Sequence, residues 1–268
     1  MPGALAAPRS LDHPFPPLLA PDGSLRIPTA LPSRPAFKPS NRDQIALDGE
    51  RVPLAFAQDV LRSVAPSLLE SVEHASIHKD RDDDEDDHGD AAASRLVLAS
   101  TVLPYPTLVL SVPFDDSDEL LEMPAHRLVL ATLESVLFEP LLDLQDPPVD
   151  GNDEQDTHIF FSLPVCSIRL PCRRNWSALH HFIYTHSSSD LLDTLLHTPI
   201  PAASSSEPSG SISSSVRHSR EAIIDQLEGV RALHLNAATL QIPSAELWDT
   251  LRRAWHSLYS VLENAQHP

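Results

Sequence analysis

The sequence predicts an α+β fold, a small mixed sheet flanked by helices, and three stretches carry that expectation. Leu96, Val97, Leu98 and Val102, then Thr107 to Phe114, form two short runs of the branched residues that strands favour. Leu130, Leu133, Leu137 and Leu141 line one helical face while Val129 and Val136 cover another, the nearly all-round apolar pattern of a buried helix. Leu247, Trp248, Leu251, Ala254, Trp255, Leu258, Val261 and Leu262 give the cleanest helical period in the chain. The chain has 268 residues, 41% of them apolar, enough for one large domain or two small ones. Its 26 prolines and 5% aromatic content predict that part of it lacks the apolar surface needed to fold.

Residues 1–40 hold ten prolines, each fixing φ and removing a backbone donor, so this stretch reads as a disordered proline-rich arm. Residues 50–77 read as a helical appendage: Phe56, Val60, Leu61, Val64, Leu68 and Val72 recur at spacings of three and four. Pro66 interrupts the run and is expected to open a second short helix. Residues 78–94 form an acidic linker, with eight carboxylates between Asp80 and Asp90 whose repulsion keeps the chain extended and solvated. A calcium loop does not fit there, because Glu85 stands where the loop needs glycine.

Residues 95–198 form the core. After the two strands, Asp115, Asp116, Ser117 and Asp118 give a polar turn, and residues 119–123 return as a short strand. The apolar helix follows, with Pro140 expected to kink or split it. An acidic loop spans 143–157, His158 to Val165 reads as a strand, and Trp176 to Tyr184 as a helix. Residues 199–218 are a serine-rich flexible insert that could accept phosphate. Residues 219–264 supply C-terminal helices packing on the core, the first through Ile223, Ile224, Leu227 and Val230. The second is capped by Ser244, with Glu246 in its first turn complementing the dipole. The expected core is Leu108, Leu110, Val129, Leu130, Leu133, Leu137, Ile159, Phe161, Leu179, Ile183, Leu227, Trp248, Leu251 and Trp255.

The chemistry that the residues can support is narrow. His158, Cys166, Cys172, His180 and His181 invite a zinc reading, but Cys-x₅-Cys is too long for the short ligand pairs of closed sites, and core cysteines fit better. There is no Gly-x-Ser-x-Gly elbow, and seven glycines leave little for phosphate-cradling loops. No catalytic residue, cofactor or metal site is predicted, and the protein is expected not to be an enzyme. A net charge of −19 opposes direct nucleic-acid binding, because phosphate neutralisation dominates such affinity. The absence of an apolar run near ~20 residues argues against a membrane span. Two cysteines and no signal-peptide pattern predict an intracellular protein, nuclear or cytoplasmic; composition does not separate the two, and the nucleus is slightly favoured.

Met123-Pro124-Ala125-His126-Arg127-Leu128-Val129-Leu130-Ala131, then Ser135 and Phe138, resembles a characteristic phrase of the BTB/POZ domain. A second family phrase, a helix closing on an apolar pair and Tyr-Thr, is matched about fifty residues on by Leu179, Phe182, Ile183, Tyr184 and Thr185. The order of elements fits as well. This resemblance implies a BTB/POZ-like core over 95–198, in which Ala125, His126, Arg127, Leu130 and Tyr184 are structural residues of the motif. Pro104 to Thr107 stand where many members carry an aspartate of the dimer interface, so homodimerisation is left open. The apolar-x-acid motif associated with cullin binding is missing before Trp176. The whole layout is more faintly similar to the clampless-type proteins of basidiomycete fungi, which regulate sexual development.

Together these readings predict a non-enzymatic protein–protein interaction module, a regulator of development or transcription that acts through partner proteins. Its acidic run, Asp82, Asp83, Asp84, Glu85, Asp86 and Asp87, would meet basic partners such as the basic regions of transcription factors. A cullin-type ubiquitin-ligase substrate adaptor is the alternative, and an enzyme with an unrecognised active site a second one.

Overall fold

A computed structural model of the chain describes residues 15–19, 22, 24–37, 42–47, 50–78, 95–98, 104–143, 159–196 and 212–264. The fold is a mixed α+β arrangement in which small sheets are packed among helices. The acidic run Asp82–Asp87 and the loop at 144–158 lie outside the described residues, as does most of the serine-rich stretch.

The chain enters through a hairpin, β1 (Gln44–Leu47) and β2 (Glu50–Pro53), and runs directly into α1 (Leu54–His74). The proline at 66 does not divide α1: it is solvent-exposed inside one continuous helix of 21 residues. The buried face of α1 also differs from the expected stripe. Ala57, Ala65, Leu68, Ser71 and Val72 are buried, whereas Phe56, Val60 and Val64 are exposed. Small alanines allow the helix to approach its neighbour closely, and a pattern read from large apolar residues alone misses them. The segment is part of the core rather than an appendage, because α1 packs against α3 (Trp176–Thr185) and continues into β3 (Ala75–His78). β3 pairs with β4 (Arg95–Leu98), which pairs in turn with β7 (Ile159–Ser162), all antiparallel.

The central sheet has the order β6-β5-β8. β5 (Leu108–Phe114) is antiparallel to β6 (Ser117–Ala125) and parallel to β8 (Val165–Ser167). β5 is buried on both faces, as a central strand rich in branched residues should be. The strand expected from His158 to Val165 is two strands in two sheets. Pro164 stands between them, unable to donate to a ladder, and its carbonyl accepts from Val109 N–H at 2.9 Å.

The long apolar helix expected after Ala125 is also two pieces, a five-residue α2 (Arg127–Ala131) and a 3₁₀ helix (Val136–Asp143). Glu134 lies between them at φ 57°, in the left-handed region that ends helices. Ser135 holds the break: its hydroxyl donates to the Leu240 carbonyl at 2.7 Å and receives Leu137 N–H at 3.3 Å. Pro140 removes a donor from what would be the second half. The turn of phase leaves Leu137 only half-buried, while Val129, Leu130, Leu133, Phe138 and Leu141 are buried. The side chains of Ile159 and Phe161 lie outside the described residues. The remaining members of the expected core are buried.

Among the described residues three further helices follow: α4 (Ser188–Leu196), α5 (Ile212–Thr239) and α6 (Ala245–Asn264). α5 begins within the stretch read as a flexible insert, so residues 212–218 are helical. Gly229 faces Asn175 and Arg174 at the start of α3, and a Cβ there would crowd the Asn175 amide. α5 ends in a Schellman turn: Gln241 takes φ 53°, its N–H bonds Ala238 O at 3.1 Å, and Ile242 N–H bonds Ala237 O at 3.1 Å. The Ser244 hydroxyl then accepts Leu247 N–H at 3.3 Å and starts α6. No helix among the described residues is long and apolar enough to cross a membrane.

The described part of the arm departs from its expected disorder. Residues 15–19, 22 and 24–37 lie against α5 and α6, with Phe15, Leu18 and Leu31 buried, and Leu19 and Leu25 form an antiparallel bridge beside an Arg26 N–H to Leu18 O bond of 2.7 Å. Prolines disfavour helices and long ladders, but not docking: residues whose φ is already fixed lose less entropy when laid on a surface.

Candidate interaction site

Two arrangements concentrate the functional residues. In the first, His126 is the N-cap residue of α2 and is 4% exposed. Its backbone N–H donates to the Tyr184 hydroxyl at 3.0 Å, and its Nδ1 lies 3.2 Å from the same oxygen. On the other side of the ring, Nε2 is 3.1 Å from the Pro104 carbonyl and 3.2 Å from Ser71 Oγ. A carbonyl only accepts, so Nε2 carries the proton and Nδ1 accepts from the tyrosine O–H. One neutral tautomer therefore satisfies the set. It fastens α1, the chain before β5, the end of β6 and α3 to one another. Ala125, Leu130 and Tyr184 are buried around it, and Arg127 N–H donates to Thr107 Oγ1 at 2.8 Å.

Burial holds the His126 ring below its ordinary pKa, against the raising effect of the Pro104 carbonyl, and pushes the Tyr184 phenol up. His180, between Trp176 and Tyr184 with ring centroids at 5.9 and 4.9 Å, is pushed down to about 4 by burial, and secondarily by His181 and His126. The His180 Nε2 has no hydrogen-bond partner among the described residues. Because the folded form refuses a proton that the unfolded chain accepts, stability is full above about pH 6.5 and is lost as the pH falls towards 4. The loss from His180 should approach about 3 kcal/mol. Phenylalanine keeps the ring stack without the titrating nitrogen, so His180→Phe should flatten unfolding free energy against pH in this window. A slope equal to that of the unaltered protein in urea titrations would contradict the assignment.

Neither cysteine resembles a reactive thiol. Cys166 and Cys172 are buried and free, and burial pushes both up to about 11. Cys172 is instead a packing position. The buried Asn236 on α5 donates to its carbonyl at 2.6 Å and accepts its N–H at 3.1 Å, as a neighbouring strand would. No group of three or more potential ligands is placed to hold a metal among the described residues, and His158 lies outside them.

The second arrangement is the face of α5 and α6 under the arm. Glu228, Arg231 and His234 follow at three-residue spacing on α5, and Trp248 and Trp255 lie on α6. Glu228 accepts Leu18 N–H at 2.6 Å. Arg231, paired with Glu228 at 3.3 Å, donates to the carbonyls of Phe15 at 2.9 Å and Pro16 at 2.8 Å. Its guanidinium also stands 5.5 Å from the centre of the Phe15 ring. Trp255 Nε1–H donates to Pro28 O at 3.2 Å, and His234 Nε2 lies 3.3 Å from Pro32 O. Phe15 packs edge-on against His234 and Trp255, and the Phe37 ring lies tilted against Trp248. The helical period of α6 places both tryptophans against a domain, but nothing in it points to Phe15, Leu18, Arg231 or His234. The Phe-Pro-Pro-Leu of residues 15–18, two large apolar residues flanking a proline pair, is the signal that could have found them.

The motif residues Ala125, His126, Arg127, Leu130 and Tyr184 thus meet in one place, while Asp82–Asp87 are outside the described residues. No curated protein and no solved structure matches the chain. Residues 189–268, which contain nearly all of α4 together with α5 and α6, match the family model described as the clampless protein 1 C-terminal domain.

Proposed function

We propose that the protein is a non-enzymatic interaction module of BTB/POZ-like type that regulates fungal sexual development or transcription through partner proteins. The observation that carries this reading is the match of residues 189–268 to the clampless protein 1 C-terminal domain. It agrees with the fainter likeness of the whole layout to the clampless-type regulators. The BTB/POZ-like part draws support from the hydrogen bond between His126 and Tyr184, which joins the two phrases that carry that resemblance. A non-catalytic role is supported by the commitment of both His126 ring nitrogens to structural partners and by thiols held protonated.

The partners in this reading are proteins with basic segments, reached inside the cell. Eight carboxylates between Asp80 and Asp90, in a chain of net charge −19, attract such segments and speed encounter. Titration with a lysine- and arginine-rich peptide, of the kind found in DNA-binding basic regions, tests this. Replacing Asp82–Asp87 by asparagine and glutamine should weaken binding at least about tenfold at low salt. Added salt should remove the difference. Equal affinity of the two proteins at low salt would contradict the charge-driven part of the reading.

A further inference from the structure

The α5–α6 face recognises its covering segment in an unusual way. Most of the polar contacts there run from side-chain donors on the helices to backbone carbonyls of the arm: Arg231 to Phe15 and Pro16, Trp255 to Pro28, and His234 with Pro32. Proline-rich chain has carbonyls without matching N–H groups, so it leaves acceptors exposed along its length. A surface of aromatic rings interleaved with side-chain donors suits that chemistry, and grooves for polyproline segments are built on the same logic. The exception is the N–H of Leu18, which meets Glu228, itself fixed by Arg231. Phe15 and Leu18 fill apolar positions, three residues apart and separated by Pro16 and Pro17.

We propose that this face is a receptor for proline-rich peptides presenting a Phe-Pro-Pro-Leu segment followed by a reversal of the chain, and that the described part of the arm, residues 15–19, 22 and 24–37, occupies it in cis. The contacts that hold the arm depend on its carbonyls, the Leu18 N–H and its apolar side chains Phe15, Leu18, Leu31 and Phe37, not on its covalent attachment. A partner's segment of the same chemistry fits the face equally, and it must displace the arm to enter. The arm then acts as a built-in competitor that raises the threshold for such a partner. This inference is independent of the charge-driven reading, and the failure of either leaves the other standing.

The test uses the full chain with a specific protease site inserted within residues 38–41, cut after folding. A labelled synthetic peptide of residues 13–37 is then added in large excess and followed by fluorescence anisotropy, with far-ultraviolet circular dichroism recorded alongside. The expected result is saturable entry of the labelled peptide in place of the cut arm, with the helical signal retained. A scrambled peptide of the same composition should not compete. The Phe15→Ala peptide should bind at least about tenfold more weakly, as loss of a buried aromatic anchor requires. No entry of the labelled peptide would overturn the proposal, as would equal competition by the scrambled one. Loss of helical signal when the arm leaves would also overturn it, since the arm would then be core and not ligand.

Discussion

Trp255→Ala is expected to lower the unfolding free energy by about 3–5 kcal/mol, the range for truncating a large buried aromatic. The side chain is 1% exposed and touches three parts of the molecule at once. Its ring packs edge-on against Phe15 at 5.5 Å, its Nε1–H reaches Pro28 O, and its flanks lie within the buried stripe of α6. Truncation removes apolar contact and leaves the Pro28 carbonyl without its donor. Trp255→Phe separates the two effects, since it keeps most of the ring and loses only the hydrogen bond, for about 1 kcal/mol. Urea unfolding followed by circular dichroism measures both. If the alanine variant lost under about 1 kcal/mol, the docked position of the arm would be wrong.

Leu130→Ala is expected to cost about 2–5 kcal/mol. Leu130 is 1% exposed on α2, four residues after His126, whose carbonyl it bonds through its N–H at 3.3 Å. A cavity there would undermine the helical turn that positions His126 against Tyr184, so packing loss and hydrogen-bond loss come together. Leu137 provides the comparison. It is half-buried on the 3₁₀ helix, and Leu137→Ala should cost distinctly less. A uniform helix over 125–141 would make the two equal. A loss below about 0.5 kcal/mol at Leu130 would contradict its placement in the core.

What can be read from the sequence depends on whether local pattern and tertiary packing agree. α6 is legible because one apolar stripe, one serine cap and one buried face coincide, and the whole stripe except Val261 is inward or partly so. β5 is legible for the same reason. The break at Glu134 is not, because it depends on Ser135 reaching Leu240, 105 residues away, which no local window contains. The end of α5 is hidden too, since its Schellman turn uses Gln241 where glycine would have announced it. α1 misleads in the other direction. Its large residues Phe56, Val60 and Val64 suggest the buried side, whereas Ala57 and Ala65 are buried there, with Leu68, Ser71 and Val72 further on. The arm escapes a local reading because proline density argues against secondary structure and says nothing about docking. Of the site, the motif histidine and tyrosine are legible as phrases, but their contact is not, because 58 residues separate them.

The reading proposed is that this protein acts by binding regulators with basic segments through its acidic run. Affinity purification with mass spectrometry from the source cells, comparing the intact chain with one lacking Asp80–Asp90, tests it most directly. The account predicts recovery of DNA-binding regulators with basic segments, diminished by the deletion. Recovery of a cullin and its attached machinery, unaffected by the deletion, would instead contradict it in favour of a ligase adaptor.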